Sequence, residues 1–304
     1  MDAIGTVLVA MIAGALRVST PFLFVSLGEC LTERSGRINL GNEGVLVLGA
    51  MVAYATSYET GSPWAGVLVA AIAGALLGAV HGAICSLARV NDVAMGIAIM
   101  LAGTGIAFFF GKPYVQPEAL HLPTLPLGFW SSLPQVRSAL EVSPLFFLGL
   151  AAAAALHWFF RATRIGLRVR IVGDSADAAR ALGLNIDAIR LLATSAGSAL
   201  AGIGGAFLSL SYPGSWNEGL SSGQGLMAVA LVVFARWNPL HCITAALIFG
   251  AAGALGPSLK TVGITQGYYL FYAAPYVVTL LILAITVRPG RSLRGMPGEL
   301  SIGR

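Results

Sequence analysis

Residues 65–88 read AGVLVAAIAGALLGAVHGAICSLA, a stretch without one Asp, Glu, Lys or Arg. A helix of that length rises about 36 Å at about 1.5 Å per residue, enough to cross a hydrocarbon core about 30 Å thick. The pattern recurs along the 304-residue chain, which is 57% hydrophobic and only 10% charged. Soluble domains carry roughly 25% charged residues, and the 18 basic and 13 acidic side chains here could not wet the surface of a soluble fold this size. Mean hydropathy is +0.81. The composition specifies an all-α, polytopic membrane helix bundle, and excludes a soluble enzyme, a nucleic-acid-binding domain and a disulfide scaffold. Cys30, Cys85 and Cys242 lack metal-ligand spacing and read as small core residues. The Met1-Asp2 opening has no basic n-region, so the first apolar run is expected to stay in the fold.

Candidate spans fall at 5–28, 40–57, 65–88, 92–111, 144–160, 189–210, 225–235, 239–256 and 268–287. The count is nine, with eight and ten as alternatives. The first is interrupted by Arg17 and Pro21, and the seventh is short enough to be a half-helix or re-entrant segment. Alternating the sides from an external N-terminus puts fourteen basic residues inside and three (Lys112, Arg137, Lys260) outside. Cytoplasmic loops of membrane proteins carry such an excess, so the expected topology is N-out, C-in, with residues 1–304 forming a single transmembrane domain. This also explains the net charge of +5 without nucleic acid.

Two loops stand out. The external loop of about 112–143 contains Pro113, Pro117, Pro123, Pro126 and Pro134 and is expected to lie across the membrane surface. The internal loop of about 161–190 contains a short helix: Asp174 or Ser175 caps its start, Ala178, Ala179, Arg180 and Ala181 form its body, and Gly183 stops it. An amphipathic helix resting on headgroups would want Leu or Phe where this one has Ala, so the small face reads better as a docking surface for a cytoplasmic partner. Gly74, Gly78 and Gly82, then Gly197, Ala201 and Gly205, then Gly250, Gly253 and Gly256, mark faces where helix backbones approach closely.

The stretch from Glu33 to Gly44, ERSGRINLGNEG, sets Asn39, Asn42 and Glu43 among glycines where a span should be apolar. A carboxylate there costs roughly 2.5–3.5 kcal/mol unless it is paired or faces a cavity. Gly41 and Gly44 permit an unwound start whose backbone groups face a polar solute. Pairing of Glu43 with Arg17 or Arg37 is the structural alternative, and the two readings weigh evenly. His81 reads first as a satisfied core histidine and second as a solute contact. Trp216-Asn217-Glu218 reads as an interfacial anchor slightly ahead of an external vestibule. The candidate solute path is therefore Asn39, Asn42, Glu43, His81 and Asn217. No catalytic constellation or metal-ligand set is present, and Gly105 to Lys112 fails as a phosphate loop because Pro113 stands where Ser or Thr is needed.

Residues 33–44, followed by Leu48-Gly49-Ala50, resemble the signature of bacterial ATP-binding-cassette importer permeases of the ribose/branched-chain amino acid superfamily. They are most similar to the nucleoside branch, which depends on basic membrane lipoproteins. Residues 166–173 with 178–183 resemble the family's coupling loop. Ala201-Gly202-Ile203-Gly204-Gly205-Ala206, Gly223-Gln224-Gly225, Arg236-Trp237-Asn238-Pro239-Leu240 and Pro275-Tyr276 follow in order. Departures are Arg37 and Asn42 in place of apolar residues, Gln224 in place of the common Arg, and Ala235 in place of Gly.

The resemblance implies a multi-pass protein of the bacterial inner membrane that is not itself an enzyme and binds no cofactor. ATP would be used by a cytoplasmic ATPase docked on Asp174, Ser175, Ala178, Ala179, Arg180 and Gly183. A second, paralogous permease subunit and an external substrate-binding lipoprotein would complete the assembly. A neutral polar solute is expected, nucleoside or nucleobase first, with sugars, riboflavin-like heterocycles and branched-chain amino acids behind. An ion- or proton-coupled secondary transporter is the alternative.

Overall fold

A computed structural model describes residues 3–129, 140–260, 271, 273–286 and 295–301. Helix α1 spans Ala3–Arg34, α2 Asn42–Thr60, α3 Pro63–Cys85 and α4 Asp92–Gly111. A two-stranded ribbon then pairs Leu125–Pro126 (β1) with Glu141–Val142 (β2). Helix α5 spans Pro144–Ala162, α6 Arg164–Asp174, α7 Ala176–Ala181, α8 Ile186–Leu210 and α9 Met227–Phe234. Helix α10 spans Pro239–Lys260, α11 Ala274–Thr286 and α12 Gly298–Ser301.

Among the described residues, six helices are long and apolar enough to cross a membrane: Met11–Arg34, Pro63–Cys85, Asp92–Tyr114, Pro144–Ala162, Ile186–Leu210 and Pro239–Lys260. Their burial is inverted relative to a soluble protein. Leu68, Leu76, Leu101 and Phe109 are each more than 60% exposed, while Glu29, Asn39 and Asn42 are at most 1% exposed. Apolar groups face outward because lipid, not water, is the solvent; polar groups turn inward because only protein can satisfy them there.

Two expectations change, and one left open is resolved. The first span is not broken at Arg17 and Pro21, since α1 continues through both to Arg34. Pro21 removes one hydrogen bond, and the helix survives because both flanks pack against α8 and α10. The seventh segment is a half-helix: α9 has 8 residues, about 12 Å at about 1.5 Å per residue, which cannot cross a core about 30 Å thick. Gly44 lies inside α2 and does not unwind it; a Cβ there would sit 2.6 Å from Met100 O, so the glycine lets α2 and α4 touch. Part of the ninth predicted span, and residues 130–139 of the external loop with Pro134 and Arg137, lie outside the described residues.

Two apolar clusters build the core. One joins α2, α3, α4 and α8 through residues such as Leu46, Ala53, Ala70 and Phe207. The other joins α1, α5, α9 and α10 through Leu27, Phe160, Leu231 and Phe249. Helix α8 carries the seam of the first. Added Cβ atoms on Gly74 and Gly202 would strike the backbones of Ser198 and Ala70, and one on Gly205 would overlap the Leu46 carbonyl. The glycine spacing read from the sequence is thus a line of backbone-to-backbone contact.

The connections sort to two ends of the bundle. One end carries the α1–α2 turn, the α3–α4 turn, α6, α7, the α9–α10 connection and α12. There Arg190 Nε donates to Ser35 O at 3.1 Å and Arg34 Nε to Trp237 O at 2.9 Å. The other end gathers the α2–α3 turn, residues 112–129 and the chain after α8, where Ser57 Oγ donates to Leu120 O at 2.7 Å.

Candidate functional site

The stretch from Glu33 to Gly44 turns the chain from α1 into α2, and the structure places its asparagines in a buried polar knot. Asn39 N donates to Glu29 Oε1 at 2.9 Å, and Asn42 Nδ2 to Glu29 Oε2 at 2.6 Å. Asn39 Nδ2 reaches Ser198 Oγ of α8 at 3.0 Å and Asn42 Oδ1 at 3.3 Å. Asn39 Oδ1 accepts from Gly41 N at 2.9 Å and meets His81 Nδ1 of α3 at 2.6 Å. The Gly41 bond fixes that atom as oxygen, so His81 Nδ1 must carry the proton. Nε2 of His81 is buried with no partner among the described residues. Five elements, α1, the α1–α2 turn, the start of α2, α3 and α8, are tied by side chains that have exhausted most of their bonding capacity on one another.

Glu43 does something different. Its Oε1 accepts from Ser221 Oγ at 2.5 Å and Gly223 N at 3.1 Å, and its Oε2 accepts from Gly225 N at 2.6 Å. It forms no ion pair among the described residues: Arg37 pairs with Asp92 of α4 at 2.5 Å, and Arg17 Nε donates to Glu141 O. After α8 ends, the chain descends as turns and α9 begins at Met227 inside the bundle. Free backbone N–H groups at such a break must be satisfied by protein, and Glu43 satisfies two of them. Each charge-assisted bond is worth about 1.5–3 kcal/mol, so three outweigh the roughly 2.5–3.5 kcal/mol cost of a carboxylate in a span. Its charge also suits the positive end of α9. Gly225 is required because a Cβ would lie 2.5 Å from Glu43 N.

The loop that Glu43 holds forms one wall of a cavity of about 230 Å³. Phe22 of α1, Tyr212 and Pro213 after α8, Ser222 and Gln224 of the loop, Met227 at the start of α9, and Pro275 and Tyr276 of α11 line it. Among the described residues, no Asp, Glu, Lys or Arg does. Tyr276 Oη donates to Ser222 O at 2.7 Å, fastening α11 to the loop. Gln224 Oε1 is buried without a hydrogen-bond partner among the described residues, leaving an acceptor among rings and prolines.

None of the five side chains read as a solute path lines this cavity. Asn39, Asn42 and His81 lie in the knot, Glu43 stands behind the loop, and Asn217 is exposed with its Oδ1 accepting from Gly219 N at 3.1 Å. Trp216 does not face outward: it is buried, and its Nε1 donates to Gly111 O at 2.9 Å. Sequence reasoning missed Glu29, Phe22 and Tyr212. The signal for Glu29 was present, since Glu29 and Glu33 sit one turn apart in an apolar helix.

At the opposite wall of the molecule, α6 and α7 form a corner. Ser175, not Asp174, caps α7, its Oγ accepting from Ala178 N at 3.2 Å. Gly183, at φ +70°, closes it: Leu184 N donates to Ala179 O at 3.0 Å and Gly183 N to Arg180 O at 2.9 Å. Both bonds of a Schellman stop are therefore present. Ala179 is fully buried with Ala176, Val172 and Ile186, so it belongs to the corner's own core. The outward face is Asp177, Ala178, Arg180, Ala181 and Leu182, with Leu182 65% exposed and Arg180 paired to Asp177 at 2.6 Å. Glu299 of α12 accepts from Ala176 N at 2.8 Å and from Arg190 Nη2 at 3.0 Å, which ties the C-terminal segment to the start of α7.

Known proteins fit this arrangement. A putative glucose ABC transporter permease of Haloferax volcanii is 31% identical, the alignment covering 93% of each chain. A guanosine ABC transporter permease of Bacillus subtilis is 30% identical over 91% of this chain and 92% of its own. A nucleoside ABC transporter permease of Lactococcus lactis subsp. cremoris is 27% identical over 90% and 91%. Residues 11–287 match the family described as branched-chain amino acid transport system, permease component. With helices that satisfy a membrane and a match running nearly end to end, this chain belongs to that family of ABC transporter permeases.

Proposed function

We propose that this chain is the permease subunit of an ATP-binding-cassette importer that passes a nucleoside or nucleobase through a bacterial inner membrane. An external binding lipoprotein delivers the solute, a paralogous permease subunit completes the channel, and a cytoplasmic ATPase docks on the outward face of α7. The chain lies N-out, C-in. Every described arginine except Arg17 sits at the end that bears α6 and α7, the bias expected of a cytoplasmic face.

The observation that carries the solute class is the lining of the 230 Å³ cavity. An apolar cavity of about 150 Å³ accommodates benzene, so this one admits a larger planar ring. Phe22, Tyr212 and Tyr276 supply aromatic surface, and the unpaired Gln224 oxygen supplies one acceptor for a ring N–H. A hexose brings several hydroxyls that such walls would leave unpaired, each at a cost of about 1–3 kcal/mol. Gln224 in place of the family's common Arg also removes a fixed charge. The resemblance to nucleoside and guanosine permeases supports the same choice, and the resemblance to a glucose permease supports the competitor.

The test is uptake by proteoliposomes holding the complete transporter, with labelled guanosine, uridine and glucose supplied on the binding-protein side. ATP-dependent nucleoside uptake that Gln224→Leu reduces about tenfold, the loss of one hydrogen bond of about 1.4 kcal/mol, is expected. Glucose uptake at the higher rate would replace the solute assignment. Uptake driven by an ion gradient without ATP would replace the importer with a secondary transporter.

A further inference from the structure

At the end of the bundle that carries α6 and α7, a second hollow of about 300 Å³ opens between α1, α5, α6 and the α9–α10 connection. Arg34, Arg161, Arg170 and Arg236 line it, with His157 and His241 at its margin. Like charges are gathered in this way only when something compensates them, and no carboxylate among the described residues pairs with these four. The ion pairs among the described residues are Arg37–Asp92, Arg180–Asp177 and Arg190–Glu299, none of which involves a lining arginine. Glu33, the neighbouring carboxylate, is bound to Trp237 Nε1. Arg34 spends its Nε on Trp237 O and lies over the Phe160 ring at 5.9 Å, which orients its outer nitrogens and leaves them without a described acceptor. Arg170 Nε is buried with no hydrogen-bond partner among the described residues. Trp237 and Arg236 both hold positive φ of 53°, so the connection is bent into the shape that forms this wall.

Arginine forks match the paired oxygens of phosphate, and bind them more strongly than a point charge would. The surroundings indicate the source. Trp158, next to the lining residue His157, is 64% exposed, and Ile165 and Leu167, in the stretch between the lining residues Arg161 and Arg170, are 62% and 48% exposed. Apolar side chains left outward next to a basic hollow are what an acyl chain and its headgroup would cover together.

We propose that this hollow binds a phosphate group, supplied by an acidic phospholipid of the leaflet that faces α6 and α7. The site is separate from the solute cavity and does not depend on which solute is carried.

The experiment is native mass spectrometry of the detergent-purified transporter titrated with phosphatidylglycerol or phosphatidylcholine, with inorganic phosphate and ATP as competitors. Arg161→Gln, Arg170→Gln and their double variant are compared with Arg168→Gln, which removes an exposed arginine of α6 outside the hollow. Phosphatidylglycerol is expected to bind at least tenfold more tightly than phosphatidylcholine, and the double variant to lose that preference while Arg168→Gln keeps it. Arg161 is exposed, so its single variant reads binding without a folding defect. Displacement of the lipid by millimolar phosphate or ATP would keep the phosphate site but make its source a soluble anion. Equal retention of the two lipids, or a double variant that binds as the native protein does, would overturn the proposal. So would protection of these arginines only when the ATPase is bound, since the occupant would then be protein.

Discussion

The α2–α3–α8 seam and the α9 half-helix, which packs on α1, α10 and α11, are held in opposite ways. Along the seam, backbones touch: Gly74, Gly202 and Gly205 leave no room for a Cβ, and the knot of Glu29, Asn39, Asn42, His81 and Ser198 stitches the same helices from within. Helix α9 has no such line. The loop before it is held by the three bonds of Glu43 and the Tyr276 hydroxyl, and Arg34 grips the chain just past its end. The first region resists motion because every displacement must separate backbones. The second can be released by disturbing a few side chains, and it borders the cavity through Ser222, Gln224 and Met227.

The largest expected effect comes from breaking the rigid side. Gly205→Val forces a side chain into the Leu46 backbone, where overpacking that ordinarily costs about 1–3 kcal/mol finds no flexible neighbour to yield. Loss of the monodisperse peak in detergent size-exclusion is the expected outcome; a folded, active Gly205→Val protein would refute the seam's rigidity.

Glu43→Gln comes next. It keeps the shape and removes the charge that holds Gly223 and Gly225, so assembly should survive while uptake falls about tenfold, equivalent to losing one charge-assisted bond of about 1.4 kcal/mol. Unchanged uptake and specificity would show that the loop does not depend on this carboxylate.

The same division between inner and outer attachment runs through α7. Leu182→Asp alters only an exposed side chain, and if it docks into a partner its loss removes about 1.5–3 kcal/mol, or at least tenfold in ATPase affinity. Co-purification of the ATPase with this variant, weighed against its circular dichroism, measures both halves. Ala179→Asp should instead unfold the corner, because Ala179 faces Val172 and Ile186.

The smallest effect is expected of Glu299→Gln. Its bond to Arg190 is partly exposed and such pairs contribute at most about 1 kcal/mol, so coupled ATP hydrolysis should change about threefold or less. A complete loss would mean that the C-terminal contact governs docking outright.

Much of this was legible in the sequence because a membrane makes polarity conspicuous. Asn39, Asn42 and Glu43 stood out against apolar flanks, the glycine spacings marked the seam, and Ser175 and Gly183 bracketed α7. What was hidden is which polar groups meet. Glu29 lay one residue past the end of the predicted first span, and its partners are 10 and 13 residues away. The Glu43 partners lie 178–182 residues off in a loop, beyond any local periodicity. The cavity was hidden for the same reason: Phe22, Tyr212 and Tyr276 read singly as ordinary aromatic residues, and only the fold brings them to one wall. Ala179 shows the converse limit, since composition suggested a docking face but could not say which alanines turn inward.

The contact between Glu299 and the start of α7 also has an order in time. Ala176 waits 123 residues of further synthesis before the carboxylate that accepts its N–H exists. A chain cut short just before α12 therefore contains every residue of α1 to α11, yet its α6–α7 corner lacks this fastening. Translation to the C-terminal segment is what finishes a surface laid down near the middle of the chain.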